Sequence, residues 1–452
     1  MSIALTAGLG EFVSALRYQD IPREAIEVIR MGFTDCVGVT MVGAREPAPQ
    51  LLKEMLAPAG NEATILFGDG GRASALDAAW INGTAGHALD YDDVALRGHP
   101  SVVLVPAILA EAEALGASGQ QVVLAYAAGY EVWAELVWRD PDHQHKKGWH
   151  PTGIFGAIAA AAACASLHQL DAVKCAHAIG TGAAQSAGLT ANFGAMAKPF
   201  QAGRAAHAGV ASARLAAKGF TAALDALEHP PGFLAAVSLA GRFDVESQIK
   251  AGTRWRLLLD RLSVKKYPLC FAVHCALDGM FDLIRENRIE AREVARVTVT
   301  VNRRHAVVLR NHQPGTGLEA KFSMEFAMAC ALIAGRAGLE QLSDDFVLRP
   351  DVQAMMKRVV IVPDDEDPAR PGFAMNDRVV IDTADGRRLD SGHLTTVRGG
   401  PQSPLSREEL WTKFDDCAKA GKANVPARSL FDALMALEQL PDVGRLPGLA
   451  RS

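Results

Sequence analysis

Three carboxylates stand within four consecutive residues of this 452-residue chain, and a histidine follows shortly after them. The stretch runs Asp90-Tyr91-Asp92-Asp93 and continues to His99-Pro100-Ser101. Like charges this close repel one another, so burying them is costly unless they pair with cations or take part in chemistry. A structural alternative is an acidic loop that caps the next helix, which explains Asp93 but does not require His99.

A second histidine, His150, lies in the sequence GWHPTG, directly before an alanine-rich segment with helical character. The first backbone N–H groups of a helix are unpaired and attract anions, so a histidine at this place suits a substrate carboxylate. A histidine that caps the helix is an equally good interpretation of the sequence alone.

Lysines form the third and fourth candidate groups. Lys198 precedes a proline that is typical of a helix start, which leaves its ammonium at the positive end of the helix dipole. That position is unfavourable unless an anion lies beside it, although an ordinary surface lysine is an equally open interpretation. Lys265 and Lys266 precede Cys270 where the sequence changes character, and domain junctions favour small-molecule sites. Adjacent lysines point in different directions, so at most one of them faces a given pocket.

Several common catalytic and cofactor-binding motifs are missing from the sequence. It contains no GxSxG elbow, no GxxxxGK[ST] phosphate loop and no HExxH pair. His143 and His145 form an H-x-H pair, but its only neighbouring acids are Asp140 and Asp142 and no cysteine is close. The seven cysteines are scattered and form no CxxC pair. We therefore expect no metal.

The segments that position these groups are helical up to about residue 255 and mixed afterwards. Helical spacing is clearest in Pro22–Val37, Val102–Leu115, Gln120–Val137, Ile154–Leu167 and Ala205–Lys218. Alternating β-branched residues then predict strands at Val294–Val301, Val359–Val362, Arg378–Asp382 and Arg387–Leu394. The predicted fold is mainly α: a large all-α domain of residues 1–265 and 401–452, with a smaller α+β domain of residues 266–400 inserted into it.

Composition limits the possible partners. The chain has 46 Lys+Arg and 51 Asp+Glu, a net charge of −5, which gives no general attraction to nucleic acid. No apolar run reaches the roughly 20 residues that a membrane span needs, and residues 1–9 lack the features of a secretory signal. We expect a cytoplasmic protein with no nucleic-acid or membrane partner.

The order of the motifs carries more information than each motif alone. NGTAGHALD, HALDYDDV with GHPS, GWHPTG, AKPFQAGRAAHAG, KKYPLC and AKFSMEF together resemble the MmgE/PrpD family. That family includes 2-methylcitrate dehydratase, cis-aconitate decarboxylase and iminodisuccinate epimerase. The resemblance covers most of the chain and implies a large helical domain, a small α+β lid domain, a site between them, a homodimer and no metal or organic cofactor.

The resemblance also implies roles for single residues. It places Asp90, His99, His150, Lys198 and Lys265 on positions that line the family's site. We expect the first four to be catalytic and Lys265 to bind the substrate. The same candidate set of substrate-binding residues includes Arg204, Cys270 and Phe326.

Three positions depart from the pattern of cis-aconitate decarboxylases. Val94 replaces a threonine, Cys270 replaces a histidine and Phe326 replaces a tyrosine. These differences argue against decarboxylase activity and favour a substrate that is smaller or less polar on that side.

The chemistry shared by these activities moves a proton at a carbon next to a carboxylate, which needs cations and a base. The first expectation is a dehydratase of a small hydroxy di- or tricarboxylate, similar to 2-methylcitrate dehydratase. An epimerase of an amino- or imino-dicarboxylate comes next, then a cis-aconitate-type decarboxylase, and a non-enzymatic carboxylate binder comes last. Which histidine is the base remains open at this stage.

Overall fold

A computed structural model describes residues 5–65, 71–364 and 375–448 of the chain. The chain divides into two compact units: Met1–Val264 with Arg407–Ser452 form the first, and Lys265–Ser406 form the second. Helices predominate throughout, so the prediction of a mainly α protein is confirmed. None of the described helices combines the length and apolarity that crossing a bilayer requires.

The first unit consists of thirteen described α-helices and one short strand pair. Its helices are α1 (Leu5–Ala15), α2 (Arg23–Gly43), α3 (Pro47–Leu56), α4 (Ala75–His87), α5 (Ser101–Leu115), α6 (Gly119–Trp138), α7 (Pro151–Leu167), α8 (Ala172–Ala184), α9 (Ala197–Ala217), α10 (Phe233–Val237), α11 (Arg256–Leu259), α18 (Arg407–Ala420) and α19 (Ala427–Leu434). Strands β1 (Ala63–Ile65) and β2 (Gly71–Ala73) pair in antiparallel fashion. The predicted all-α domain therefore contains one strand pair, and β1 lies where the sequence departs from helical spacing, at Ala63–Ile65.

The second unit combines helices with a four-stranded mixed sheet. Its helices are α12 (His274–Asn287), α13 (Arg303–Val308), α14 (Gly317–Ala320), α15 (Met324–Ala334), α16 (Asp344–Val347) and α17 (Pro350–Met356), and its strands are β3 (Val294–Asn302), β4 (Val359–Asp364), β5 (Arg378–Thr383) and β6 (Arg388–Asp390). The strand order is β4-β3-β5-β6, with β3 parallel to β4 and antiparallel to β5. Strand β6 is shorter than predicted, because Gly392 adopts a φ of +66° that interrupts extended backbone.

Small residues allow helices α4, α7 and α9 to approach one another closely. A Cβ atom on Gly203 of α9 would lie 2.2 Å from the carbonyl oxygen of Trp80 in α4. A Cβ atom on Gly209 would lie 2.2 Å from the Cβ of Ala160 in α7. A second contact for each pair, His207 with Leu76 and Gln201 with His150, shows that α9 is antiparallel to α4 and parallel to α7. The end of α4 therefore meets the starts of α7 and α9. Helix α9 begins at Ala197, earlier than predicted.

A buried lysine ties the C-terminal helix α18 to the loop of residues 88–100. The Nζ of Lys413 lies 2.5 Å from Oδ1 of Asp35 in α2 and donates a 2.8 Å hydrogen bond to the carbonyl oxygen of Tyr91. The same ammonium lies 3.9 Å from the centroid of the Tyr91 ring. Removing one partner of such a buried ion pair costs about 3–5 kcal/mol of stability, so Lys413 is firmly held. Because its ammonium also binds the carbonyl oxygen of Tyr91, it fixes the backbone between Asp90 and Asp92.

Gly203→Ala is expected to lower the melting temperature, because the added methyl group meets Trp80 and Thr84 across the α4–α9 contact at 2.2–2.7 Å. Overpacking of this kind costs about 1–3 kcal/mol. Gly315→Ala is the control, since its Cβ would come no closer than 3.7 Å to a neighbouring atom. The melting temperatures of both variants are compared with that of the wild type. Equal melting temperatures for the two variants would contradict the packing argument.

Candidate active site

Six polar side chains of the first unit, here called the histidine cluster, come together from four chain segments. They are His87, Asp90, Asp92, His99, His150 and Lys198. His87 ends α4, His150 immediately precedes α7 and Lys198 is the second residue of α9. The cluster contains the four residues that the sequence predicts as catalytic and adds His87 and Asp92.

The carboxylate of Asp92 is shared by two imidazoles. Nδ1 of His87 lies 2.9 Å from Oδ1 of Asp92, and Nδ1 of His99 lies 2.9 Å from Oδ2. Asp92 is fully buried and His87 is 1 % exposed, while the His99 side chain is 14 % exposed. Asp92 therefore holds both rings in place, and of the two it is His99 that a small molecule can reach.

Asp90 pairs with the lysine of the cluster. Nζ of Lys198 donates a 2.5 Å hydrogen bond to Oδ1 of Asp90, which lies 3.8 Å from Nε2 of His99. The ammonium also lies 5.2 Å from the centroid of the Phe193 ring. The sequence argument that Lys198 needs an anion beside it at a helix start agrees with this contact, and the anion is a carboxylate of the chain itself.

The loop that carries these acids is strained. Asp90, Leu96 and Arg97 all have positive φ angles, of 53°, 51° and 62°. Each such residue costs about 1–2 kcal/mol, and strain of this kind concentrates at functional sites. Leu96 is held by a hydrogen bond from the indole of Trp133, and Arg97 donates to backbone carbonyl groups of Asp140 and Asp142.

His150 is 1 % exposed and does not cap α7 with its side chain. Its Nδ1 lies 2.7 Å from Oε1 of Gln201, its ring stacks on that of His87 at 6.0 Å, and Phe193 packs edge-on against it at 5.0 Å. No described residue hydrogen-bonds to its Nε2. The capping interpretation of this histidine is therefore replaced by a contact with helix α9.

Burial and neighbouring charges keep two of the imidazoles neutral. Burial lowers the pKa of His87 to about 4, although Asp92 opposes the shift. Burial, together with the nearby His87 and Lys198, lowers the pKa of His150 to about 2, although the hydrogen bond with Gln201 opposes the shift. For Asp92, burial favours the neutral acid, but the contacts with His87 and His99 outweigh it and hold its pKa well below the ordinary range.

The third acid of the sequence motif has a different role. Asp93 points into the core, where burial and then the neighbouring Asp35 raise its pKa well above the ordinary range. Its Oδ1 accepts a 3.4 Å hydrogen bond from the backbone N–H of Ser101 at the start of α5. The structural interpretation of the acidic loop is thus correct for Asp93 and does not apply to the other two acids.

The remaining candidate residues are described within their own units. Arg204 forms no ion pair among the described residues, and its guanidinium lies 5.3 Å from the centroid of the Trp80 ring. Lys265, Cys270 and Phe326 belong to the second unit and are buried there, with Phe326 in its hydrophobic core.

The cluster also has the composition of a cation site. One possible ligand atom from each of His87, Asp90, Asp92 and His99 lies within 4.8 Å of the others. However, the ammonium of Lys198 already neutralises Asp90, and His87 directs its Nδ1 at Asp92. The residues present therefore supply their own cation, and we assign no metal to them.

Sequence reasoning missed four participants: His87, Asp92, Gln201 and Phe193. The first two lie in the HALDYDD motif and could have been found as a histidine and a carboxylate bracketing a short loop. Gln201 and Phe193 carry no such signal, because they meet His150 only after the α7–α9 packing is complete.

Two models of known protein families match this chain. Residues 7–246 match the MmgE/PrpD N-terminal domain and residues 267–437 match the MmgE/PrpD C-terminal domain. The chain belongs to the MmgE/PrpD family. This confirms the resemblance that the motifs indicated, and the whole histidine cluster lies within the part that matches the MmgE/PrpD N-terminal domain.

Similar curated proteins are cis-aconitate decarboxylases. The enzyme of Mus musculus is 26% identical over 387 residues, covering 83% of this chain and 78% of the relative. That of Homo sapiens is 26% identical over 83% of this chain and 79% of the relative. That of Aspergillus terreus (strain NIH 2624 / FGSC A1156) is 25% identical over 97% of this chain and 94% of the relative.

His87→Asn is expected to change how stability depends on pH. The folded protein holds His87 at a pKa of about 4, against about 6.5 when unfolded, so the unfolded state binds the extra proton between these values. The wild type therefore loses about 1.4 kcal/mol of stability per pH unit from this group as pH falls from 6.5 to 4. Asparagine retains a donor toward Asp92 but cannot titrate, so the stability gap between wild type and variant should narrow on acidification.

Urea unfolding of both proteins at pH 7 and pH 5 measures that gap. His229→Asn, at a half-exposed histidine outside the cluster, provides the control. A gap that stays constant with pH for His87→Asn would contradict the assignment of a neutral buried imidazole.

Proposed function

We propose that this chain is a cofactor-independent enzyme that moves a proton at a carbon next to a carboxylate of a small di- or tricarboxylate. The observation that carries the proposal is the convergence of three imidazoles, two carboxylates and one ammonium from distant segments. A catalyst for this reaction needs a base, an acid and a cation that stabilises the developing enolate.

The surroundings of His99 and His150 suit these two histidines to different roles. His150 contacts the neutral amide of Gln201 and is kept uncharged, so it is the proposed base. His99 is oriented by the carboxylate of Asp92 and is the more accessible of these two rings, so it is the proposed acid. Two similar groups in different surroundings are a recurring feature of acid–base sites.

A substrate carboxylate would bind near Lys198. Its ammonium is already desolvated and paired with Asp90, and the starts of α7 and α9 present the positive ends of two helix dipoles on the same side. Asp90 would orient the ammonium while the substrate shares it. The negative charge of the substrate would also offset Lys198 and raise the pKa of His150 toward the range in which a base is effective.

Dehydration is the first proposed reaction. His150 takes the proton next to the carboxylate, and the electron pair of that C–H bond forms the double bond as the β-hydroxyl group leaves. His99 gives the leaving oxygen a proton, so that one water and one alkene are formed. The proton on His150 then returns to solvent, and His99 is protonated again from it.

Decarboxylation of a cis-aconitate-like acid is the second candidate, and the names of the similar proteins favour it. In that reaction the C–C bond to one carboxylate breaks, carbon dioxide leaves and the electron pair takes a proton from His99, which solvent then protonates again. The resemblance implies departures from cis-aconitate decarboxylases at Val94, Cys270 and Phe326, which is why dehydration is placed first.

Other expectations stay predictions: a homodimer, a cytoplasmic location, and substrate-binding roles for Lys265, Arg204, Cys270 and Phe326.

Incubation with candidate acids in heavy water is expected to place deuterium next to a carboxylate or to yield an alkene. The panel contains citrate-like hydroxy acids, cis-aconitate and amino-dicarboxylates, and proton NMR and product mass are recorded. Loss of water indicates a dehydratase, loss of carbon dioxide a decarboxylase, and exchange at unchanged mass an epimerase. Tight binding with neither exchange nor conversion would reject the proposed activity.

His99→Asn and His150→Asn are expected to fold normally and to lose on the order of 10²-fold or more in kcat, because each removes an acid or base. Lys198→Ala should also raise KM, since it removes the cation that faces a carboxylate. Asp90→Asn should cost less, because it keeps a hydrogen-bonding group and loses only charge.

Turnover and melting temperature are measured for all four variants on one substrate. His168→Asn serves as the control, because His168 also pairs with a buried carboxylate, that of Glu111, outside the cluster. Lower melting temperatures with normal turnover would mean that these residues have only a structural role.

A further inference from the structure

Gln201 contacts the proposed base and is held by a second hydrogen bond. Its Oε1 lies 2.7 Å from Nδ1 of His150, and its Nε2 donates a 3.2 Å hydrogen bond to the carbonyl oxygen of Leu189. The side chain is buried and follows Lys198 by three positions on α9, so both residues lie on nearly the same face of that helix.

These two contacts determine where the His150 proton lies. A backbone carbonyl only accepts hydrogen bonds, so the amide NH₂ of Gln201 must face Leu189 and the amide oxygen must face His150. That oxygen also only accepts, so the proton of the neutral imidazole is on Nδ1. The opposite nitrogen, Nε2, is then unprotonated and carries a lone pair, and no described residue donates a hydrogen bond to it.

The segment before α9 fixes this geometry from the other side. The carbonyl oxygen of Gly188 accepts a 3.0 Å hydrogen bond from the backbone N–H of His150. A Cβ on Gly188 would lie 3.0 Å from Oε1 of Gln201 and 3.3 Å from Cβ of His150, and its φ of +136° also favours glycine. Gly188 and Leu189 therefore hold both the histidine and the glutamine.

We propose that Gln201 is a positioning residue that selects the Nδ1–H tautomer of His150 and so presents the Nε2 lone pair to the substrate. This inference rests on the proposed function of His150 as the base. A neutral amide serves this role better than a carboxylate here, because it orients the ring while stabilising the charged form less than a full negative charge would. The other titratable groups that face His150 are His87 of α4, His99 of the loop and Lys198 of α9, and all three oppose a charge on it.

The tautomer is measured directly by ¹⁵N NMR of protein labelled at histidine. The chain has 13 histidines, so the spectrum of His150→Asn identifies the signals of interest. The expected result is a protonated Nδ1 and an unprotonated Nε2 in the wild type at neutral pH. A protonated Nε2 would overturn the proposal whether or not a substrate has been found, which separates its failure from failure of the proposed function.

Gln201→Leu removes the acceptor and is expected to yield a mixture of tautomers and at least about a tenfold loss in kcat, with a smaller change in KM. Gln201→Glu still accepts from Nδ1, so it should retain the tautomer and more activity than Gln201→Leu. Its carboxylate should also raise the pKa of His150, which an NMR titration detects.

Gln185→Leu is the matched control. Gln185 is a partly buried glutamine whose Nε2 donates hydrogen bonds to Ala208 and Ser212 of α9. It forms no described hydrogen bond with a histidine of the cluster. An unchanged tautomer in Gln201→Leu would overturn the proposal, as would equal losses of activity in Gln201→Leu and Gln185→Leu. If Gln201→Leu fails to fold, the wild-type spectrum and the Gln201→Glu titration still decide it.

Discussion

Helices α4, α7 and α9 can meet at the histidine cluster only because glycine and alanine line their contacts. The interiors of proteins are close-packed, so one added methyl group at Gly203 or Gly209 would separate the helices. This approach brings the end of α4 against the starts of α7 and α9. His87, His150 and Lys198 occupy those three helix ends, so their mutual distances are set by backbone packing and not by flexible loops.

The loop of residues 88–100 completes the cluster at a conformational cost. Three of its non-glycine residues adopt left-handed backbone angles, and it carries three acids into a poorly solvated region. Lys413 and Trp133 hold its backbone, while Asp92 is compensated by two imidazoles and Asp90 by Lys198. Asp93, the third acid, accepts a hydrogen bond from the backbone N–H of Ser101. All three acids therefore have partners, which makes the loop a preorganised element instead of a repulsive one.

The charge balance of the cluster links substrate binding to catalysis. Burial leaves His87 and His150 neutral, and Lys198 is the cation that opposes protonation of His150. A substrate that brings carboxylates beside Lys198 changes that balance and makes His150 a stronger base. In the proposed mechanism the base is therefore strengthened by the anionic substrate on which it acts, and a neutral molecule would not have this effect.

The sequence by itself determined the helical character of most of the first unit and the strands of the second. It also identified His99, His150, Asp90 and Lys198 as candidate members of one site. Helical periodicity and the order of the motifs are local properties, so they survive without coordinates. Only the tertiary structure decided that His87 and Asp92 belong with them, that Asp93 faces the core and that Arg204 stacks on Trp80. It also decided that Gln201, and not a carboxylate, contacts His150. The physical reason is that these outcomes depend on which helix faces meet and at what distance, and close packing between residues far apart in the chain sets both.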